Sequence, residues 1–196
     1  IQGANQLMIE KKYSIAKDLW VEIVKLQPKN ANTNYKTGLC LLESPNSKLE
    51  SLKYLKIAAK KINKNYSPFD NTITTAPIEA NFYLGKSYHI NGFQDSAIKY
   101  LKKFNELASK KHYLKSENKK LIKWCENKKI VADNSNDHII LNEFKNTNTA
   151  YDDFNPQVSK DGNTIIFSSN KARSGKQNEE IFDVNSGNHF TDLYIC

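Results

Sequence analysis

The chain has 196 residues, of which 39% are hydrophobic and 26% charged, and a formal net charge of +8. That balance belongs to a folded globular protein and excludes a disordered one, and the absence of any run of 18 apolar residues excludes an apolar membrane-crossing helix. No basic segment followed by an apolar one opens the chain at Ile1, so a targeting segment, if the protein has one, is expected outside these residues.

The net charge conceals an asymmetry. Residues 1–132 carry 24 Lys and 11 acids, or +13, whereas residues 133–196 carry 5 Lys or Arg and 10 acids, or −5. Two segments of opposite sign predict two domains. All 24 cations of the basic half are Lys, scattered among polar helix positions, and none is the Arg that recognises phosphate with two parallel hydrogen bonds. Nucleic acid is therefore not an expected partner.

In chain order, the basic half reads as a repeated helical hairpin. Tyr13, Ala16, Trp20, Ile23 and Pro28 form a first copy that begins too late for a full first helix. A second copy places Gly38 and Leu41 in one helix and Ser51, Leu55 and Ala58 in the next, with an extra residue in its turn near Pro45-Asn46. The third is the clearest: Tyr83-Leu84-Gly85, Tyr88 and Gly92, then Ala97, Leu101 and Phe104. Small residues at 16, 51 and 97 precede larger ones by four and seven positions, the spacing of one helix face packed closely on its partner. Between copies two and three, residues 63–77 hold Asn63, Asn65, Ser67, Pro68, Asp70 and Asn71, a set of turn formers that predicts a surface loop. Pro77 and Glu79 suit the first turn of the helix that follows.

Residues 115–131 predict a further helix, with Leu121, Ile122, Trp124, Cys125 and Val131 as its apolar stripe, which covers the open end of the array. Residues 133–137, Asp-Asn-Ser-Asn-Asp, break that pattern and read as a linker. From His138 the period becomes that of strands: His138–Leu141, Asn155–Ser159, Thr164–Ser169 and Asp192–Ile195. Asp161-Gly162 supplies the turn between the second and third, and Lys171–Thr191 reads as a long polar loop. Cys40, Cys125 and Cys196 lie far apart without a partner at motif spacing. They form neither a disulfide framework nor a zinc site, and the first two are expected in the core.

The helical residues resemble the tetratricopeptide repeat, matched about three times over residues 4–110 and best at Leu84, Gly85, Tyr88, Gly92, Ala97 and Leu101. The strand residues Asn155–Asn170, with Asp192-Leu193-Tyr194-Ile195, resemble one repeat of a TolB-type β-propeller, with Lys160 where that family usually has Pro. The fold class implied is α + β and multidomain: residues 1–132 an α-solenoid of tetratricopeptide-like hairpins with a capping helix, 133–137 a linker, and 138–196 the first blade of a truncated propeller. One blade cannot close a propeller, so the sequence is expected to be a piece of a longer protein. The order of parts, joined through Asn148–Pro156, is similar to that of OmpA-family envelope proteins of Gram-negative bacteria. The resemblance implies a periplasmic location associated with the outer membrane, a link to type IX secretion or gliding machinery, and peptidoglycan contact only through a domain not in this chain.

No glycine-rich phosphate loop, G-x-S-x-G or H-E-x-x-H occurs, and Ser174-Gly175-Lys176-Gln177 lacks both the upstream Gly and the hydroxyl residue of a P-loop. The four histidines stand far apart, and Asp152, Asp153 and Asp161 do not have the spacing of a calcium loop. The expectation is a non-enzymatic binding protein without cofactor or metal. Its partner, a protein or an acidic or C-terminal peptide, would lie along first-helix residues Tyr35, Lys36, Leu39 and Leu42 in repeat two, and Phe82, Lys86 and His89 in repeat three. A cytoplasmic peptide-binding adaptor is the alternative.

Overall fold

The computed structural model describes residues 1–68, 70, 72–133, 147–171, 182–183 and 188–196. By the density of internal contacts the chain forms two compact units, Ile1–Ser135 and Asn136–Cys196. The first is helical and the second carries a small antiparallel sheet, so the fold is mixed α and β.

Seven α-helices are described in the first unit: α1 (Gln2–Ile9), α2 (Tyr13–Leu26), α3 (Ala31–Glu43), α4 (Ser51–Ala58), α5 (Glu79–Ile90), α6 (Gln94–Leu107) and α7 (Lys115–Asp133). Glycine sets how closely the hairpins approach. A Cβ on Gly38 of α3 would sit 2.6 Å from Leu55 Cγ on α4, and a Cβ on Gly85 of α5 would sit 2.6 Å from Leu101 Cγ on α6. Both leucines are buried, so α3 and α4, and α5 and α6, touch at a spot where no side chain larger than hydrogen fits.

The first hairpin repeats this spacing with different residues. Ala4 precedes Ala16 and Trp20 by the same intervals that separate Gly85 from Ala97 and Leu101, and Ala4, Ala16 and Trp20 form one buried cluster with Cys40. A full first helix is not expected in this copy, and α1 is accordingly short, with eight residues against thirteen in α3 and twelve in α5. The turn after α3 passes through Asn46, at φ 59°, and a 3₁₀ turn at Lys48–Glu50 leads into α4. Ser51 of α4 meets Ser87 of α5 through buried hydroxyls 2.7 Å apart, tying neighbouring hairpins together. The Asn30 side chain caps α3 by accepting from Asn32 N and Thr33 N, which satisfies two otherwise orphaned donors.

The loop expected at the surface between the second and third hairpins lies there, its described residues from Asn63 to Thr72 being exposed or half-buried, and it is tied down at both its legs and its crown. Its legs join where Asn63 N donates to Ala76 O and Ala76 N donates to Lys61 O. Its crown folds back onto the start of α3: Tyr66 Oη donates to Asn32 Oδ1 at 2.6 Å, Asn32 Nδ2 donates to Ile73 O, and Ala31 N donates to Thr74 O. Ala76 is fully buried among Ala31, Ala58 and Ala80.

Helix α7 covers the third hairpin with Leu121 and Cys125, which join Phe82, Leu101 and Phe104 in the largest core cluster. Two residues assigned to its apolar stripe face outward: Trp124 is 57% exposed and Val131 69%. With Lys at 119, 120, 123, 128 and 129, this helix keeps only a narrow buried seam.

In the second unit β1 (Asp153–Val158), β2 (Ile165–Ser169) and β5 (Asp192–Ile195) form an antiparallel sheet in the order β1-β2-β5. Asn155, at φ 56°, places an irregularity between Phe154 and Gln157, where Pro156 needs no ladder N–H. The turn between β1 and β2 is held by side chains. Asp161 Oδ1 accepts from Ser159 Oγ and from Asn163 N, and Ser159 Oγ accepts from Thr164 N, while Gly162 adopts φ 74°. Each residue of Ser159-Lys160-Asp161-Gly162 except Lys160 therefore has a defined part in the turn. Phe167 stacks on Tyr194 at 5.8 Å between centroids, and Lys171 Nζ lies 3.9 Å from the Tyr194 centroid. Within the segment read as a loop, β3 (Phe182–Asp183) pairs with β4 (Asn188–His189). The strand expected at His138–Leu141 and most of the 133–137 linker lie outside the described residues.

Candidate functional site

A cavity of about 570 Å³ opens on the helical unit. Helix α1 contributes Asn5, Met8 and Ile9, and α3 contributes Tyr35, Lys36 and Leu39. The folded-back connector adds Tyr66 and Pro68 to a third wall, and Ile78, Glu79 and His112 close the α5 side. First helices of three successive hairpins thus meet at one concavity, and the connector turns what would be an open groove into a pocket.

Lys36 is the unusual group in it. The residue is only 4% exposed. Its ammonium donates to Asn5 Oδ1 at 2.7 Å and, more weakly, to Pro68 O at 3.4 Å. The same Nζ lies 5.0 Å from the centroid of the Trp20 ring, a cation–π contact that partly replaces lost water. Burial lowers its pKa from 10.5 to about 8, because the cavity solvates the charged form poorly. Cys40, one turn along α3, is pushed up to about 12 by the same burial, so its thiol is a core group and not a nucleophile.

The opposite wall holds an acid with a positioned partner. Glu79 Oε1 lies 3.2 Å from His112 Nε2, and His112 Nδ1 accepts from Leu114 N. In the neutral ring that second bond places the proton on Nε2, which donates it to Glu79. Tyr35 packs against Tyr66 and Tyr83 at 6.3 and 6.1 Å, and burial holds its phenol well above the ordinary value. The pocket therefore offers one desolvated cation, one carboxylate and aromatic surface.

Of the residues expected to line a groove, Tyr35, Lys36 and Leu39 do so. The other four have different places. Leu42, 1% exposed, packs against Leu55, Ala59 and Leu84, and Phe82, fully buried, packs against Phe104 at 5.6 Å. Lys86 bridges Glu43 of α3 at 2.9 Å and Glu117 of α7 at 3.8 Å. His89 Nδ1 lies 2.8 Å from Gln94 Oε1 and 3.2 Å from Cys125 Sγ, a contact with a thiol that burial pushes up to about 11. Leu42 and Phe82 hold the core together, and Lys86 ties three helices. Asn5, Tyr66, Pro68 and the Glu79–His112 pair were not among the expected residues. The signal pointing to them is the aromatic Tyr66 set among the turn formers of the inserted segment.

Among the described residues no group of three His, Cys, Asp or Glu side chains is placed to hold a metal ion, and no helix is long and apolar enough to cross a membrane. Comparison with protein-family models gives no match for this chain, and neither does comparison with curated proteins.

Proposed function

We propose that this chain belongs to a non-enzymatic protein–protein interaction scaffold of the bacterial cell envelope. In this reading the helical unit is a short tetratricopeptide-type solenoid that grips a peptide or protein partner on its concave face. The sheet is one blade of a TolB-type propeller that offers a second docking face, and the protein works in the periplasm beside the outer membrane.

The observation that carries the binding role is the cavity bounded by α1, α3 and the start of α5, with Lys36 buried in its wall. Its volume and mixed lining suit a ligand that brings both apolar surface and a polar group. The solenoid reading is supported by the recurring contact of Gly38 with Leu55 and Gly85 with Leu101. The blade reading is supported by the Ser159 and Asp161 turn and by Tyr194 stacked on Phe167.

The test is purification of the tagged full-length protein from its native cells. Co-purification with outer-membrane proteins is expected. Recovery alone in the soluble cytoplasmic fraction overturns the envelope assignment and favours a cytoplasmic adaptor.

A further inference from the structure

We propose that the outward face of α7 docks on an anionic lipid bilayer, with Lys119, Lys120, Lys123 and Lys128 against headgroup phosphates and Trp124, Ile130 and Val131 in the layer between headgroups and acyl chains. This surface is separate from the cavity, and the binding role proposed above does not depend on it.

The first observation is where the charge sits. Residues 99–131 hold 11 Lys and 3 Glu, a net +8 that equals the formal charge of the whole chain. They belong to α6, α7 and the turn between them, so the excess is gathered on the last two helices of the unit. On α7, Lys119, Lys120, Lys123 and Lys128 are exposed, and among the described residues none of the four has a carboxylate within ion-pair distance. Lys115 and Lys129 of the same helix are engaged, by Asn105 and by Asp95.

The second observation is the apolar surface among those lysines. Helix α7 runs on to Asp133, yet no residue from 126 to 132 is buried, so its last two turns extend past the core that Leu121 and Cys125 join. Trp124, Ile130 and Val131 are each more than half exposed. At about 100° per residue, these three share roughly one third of the helix circumference with Lys120, Lys123 and Asn127. Single exposed apolar side chains need no explanation, but three on one face, set among cations, mark an interaction surface.

The third argument selects the occupant. An indole has an apolar body and an N–H donor, which suits the boundary between headgroups and acyl chains. Lysine stems lie along apolar surface while their ammonium groups stay with phosphates. The four unpaired lysines spread over about half of the circumference and converge on no point, whereas an acidic protein presents carboxylates at fixed positions. Laterally mobile headgroups need no such convergence, and their summed negative potential attracts the whole cluster. A nucleic acid offers the same phosphate, but residues 1–132 contain no Arg for forked contacts, and this face has a single ring on which a base could stack.

The experiment floats the whole chain with vesicles of phosphatidylcholine alone and of phosphatidylcholine with about one third phosphatidylglycerol. Retention is expected only with the anionic vesicles, and it should weaken at least tenfold at about 1 M salt, where the screening length is about 3 Å. The chain has two tryptophans, Trp20 buried and Trp124 exposed, so a blue shift of the emission on binding is expected from Trp124, and Trp124→Phe should abolish it. Lys120→Gln with Lys123→Gln should weaken binding about tenfold or more, at about fivefold per lysine. Lys60→Gln with Lys61→Gln, which removes the same charge from exposed positions after α4, should change it less than twofold.

Equal retention by both vesicles, equal loss in the two double variants, or a blue shift that persists in Trp124→Phe overturns the inference. So does a chain that binds no vesicle but is retained by a single-stranded oligonucleotide or by polyglutamate, which assigns the face to that partner. Absence of vesicle binding, while outer-membrane partners still co-purify, removes this inference and leaves the scaffold role standing.

Discussion

Lys36 sets a cost against a use. Its pKa lies at about 8 in the folded chain against an ordinary 10.5, so between those values the unfolded state binds more protons than the folded one. Stability contributed by this residue therefore rises with pH from about 8 to about 10.5 and is lowest below 8. Lys36→Met is predicted to stabilise the protein by about 1–3 kcal/mol at pH 7, since a methionine carries similar bulk without a desolvated charge. That advantage should shrink as pH passes 8, which denaturant unfolding of the two proteins at pH 7 and pH 9.5 will measure. An equal gain at both values would show that the charge is not the source. The buried tyrosines act in the opposite sense near and above pH 10 because their folded-state values are raised, and they are common to both proteins.

At the scale of elements, the hairpins depend on two glycines and one inserted loop. A methyl group on Gly38 or Gly85 would have to displace a buried leucine, so Gly38→Ala and Gly85→Ala are each expected to cost about 0.5–2 kcal/mol net. This is less than overpacking alone would impose, because alanine favours the helix by about 1 kcal/mol. Chemical unfolding gives the value, and a stabilised variant would contradict the close contact. The connector is predicted to loosen in Tyr66→Phe, which leaves Asn32 Oδ1 without the phenol that donates to it, at about 0.5–1.5 kcal/mol. Limited proteolysis should then cut within residues 63–75 faster than in the unaltered chain. These elements also show what could be read in the sequence. Gly85, Ala97, Leu101 and Phe104 stand at helical spacing in a segment that is helix–turn–helix, so their pairing follows from periodicity. The partner of Trp20 was missed because Ala4 occupies the place of a glycine on a helix of only eight residues. The connector's turn formers marked it as a surface loop, and its described residues from Asn63 to Thr72 are exposed or half-buried, but its bonds to the start of α3 were not legible, because composition cannot tell a loop bonded to water from one bonded to a helix. Helix α3 is buried nearly all round. Periodicity therefore could not separate Tyr35, Lys36 and Leu39, which face the cavity, from Leu42, which faces α4, and Phe82 on α5 failed for the same reason.

Across the whole molecule the chain divides into two compact units. Residues 1–135 hold their own buried clusters around Trp20, Leu55 and Phe104, so a fragment of these residues is expected to keep its helical circular dichroism and a cooperative thermal transition. A broad, non-cooperative melt would contradict that independence. The change of architecture was legible because the period shifts from that of helices to that of strands, and because the charge changes sign. The pairing of Phe182–Asp183 with Asn188–His189 was not legible, since strands of two residues carry no period. The central claim is that the cavity beside Lys36 is where a protein partner is held. Replacing Tyr35 with photoreactive p-benzoylphenylalanine in living cells tests it most directly, with exposed Lys99 of α6 as the control position. The account predicts one discrete protein adduct from position 35 that disappears when Lys36→Met is added and is absent from position 99. The same adduct from both positions, or no discrete adduct from position 35, would contradict it.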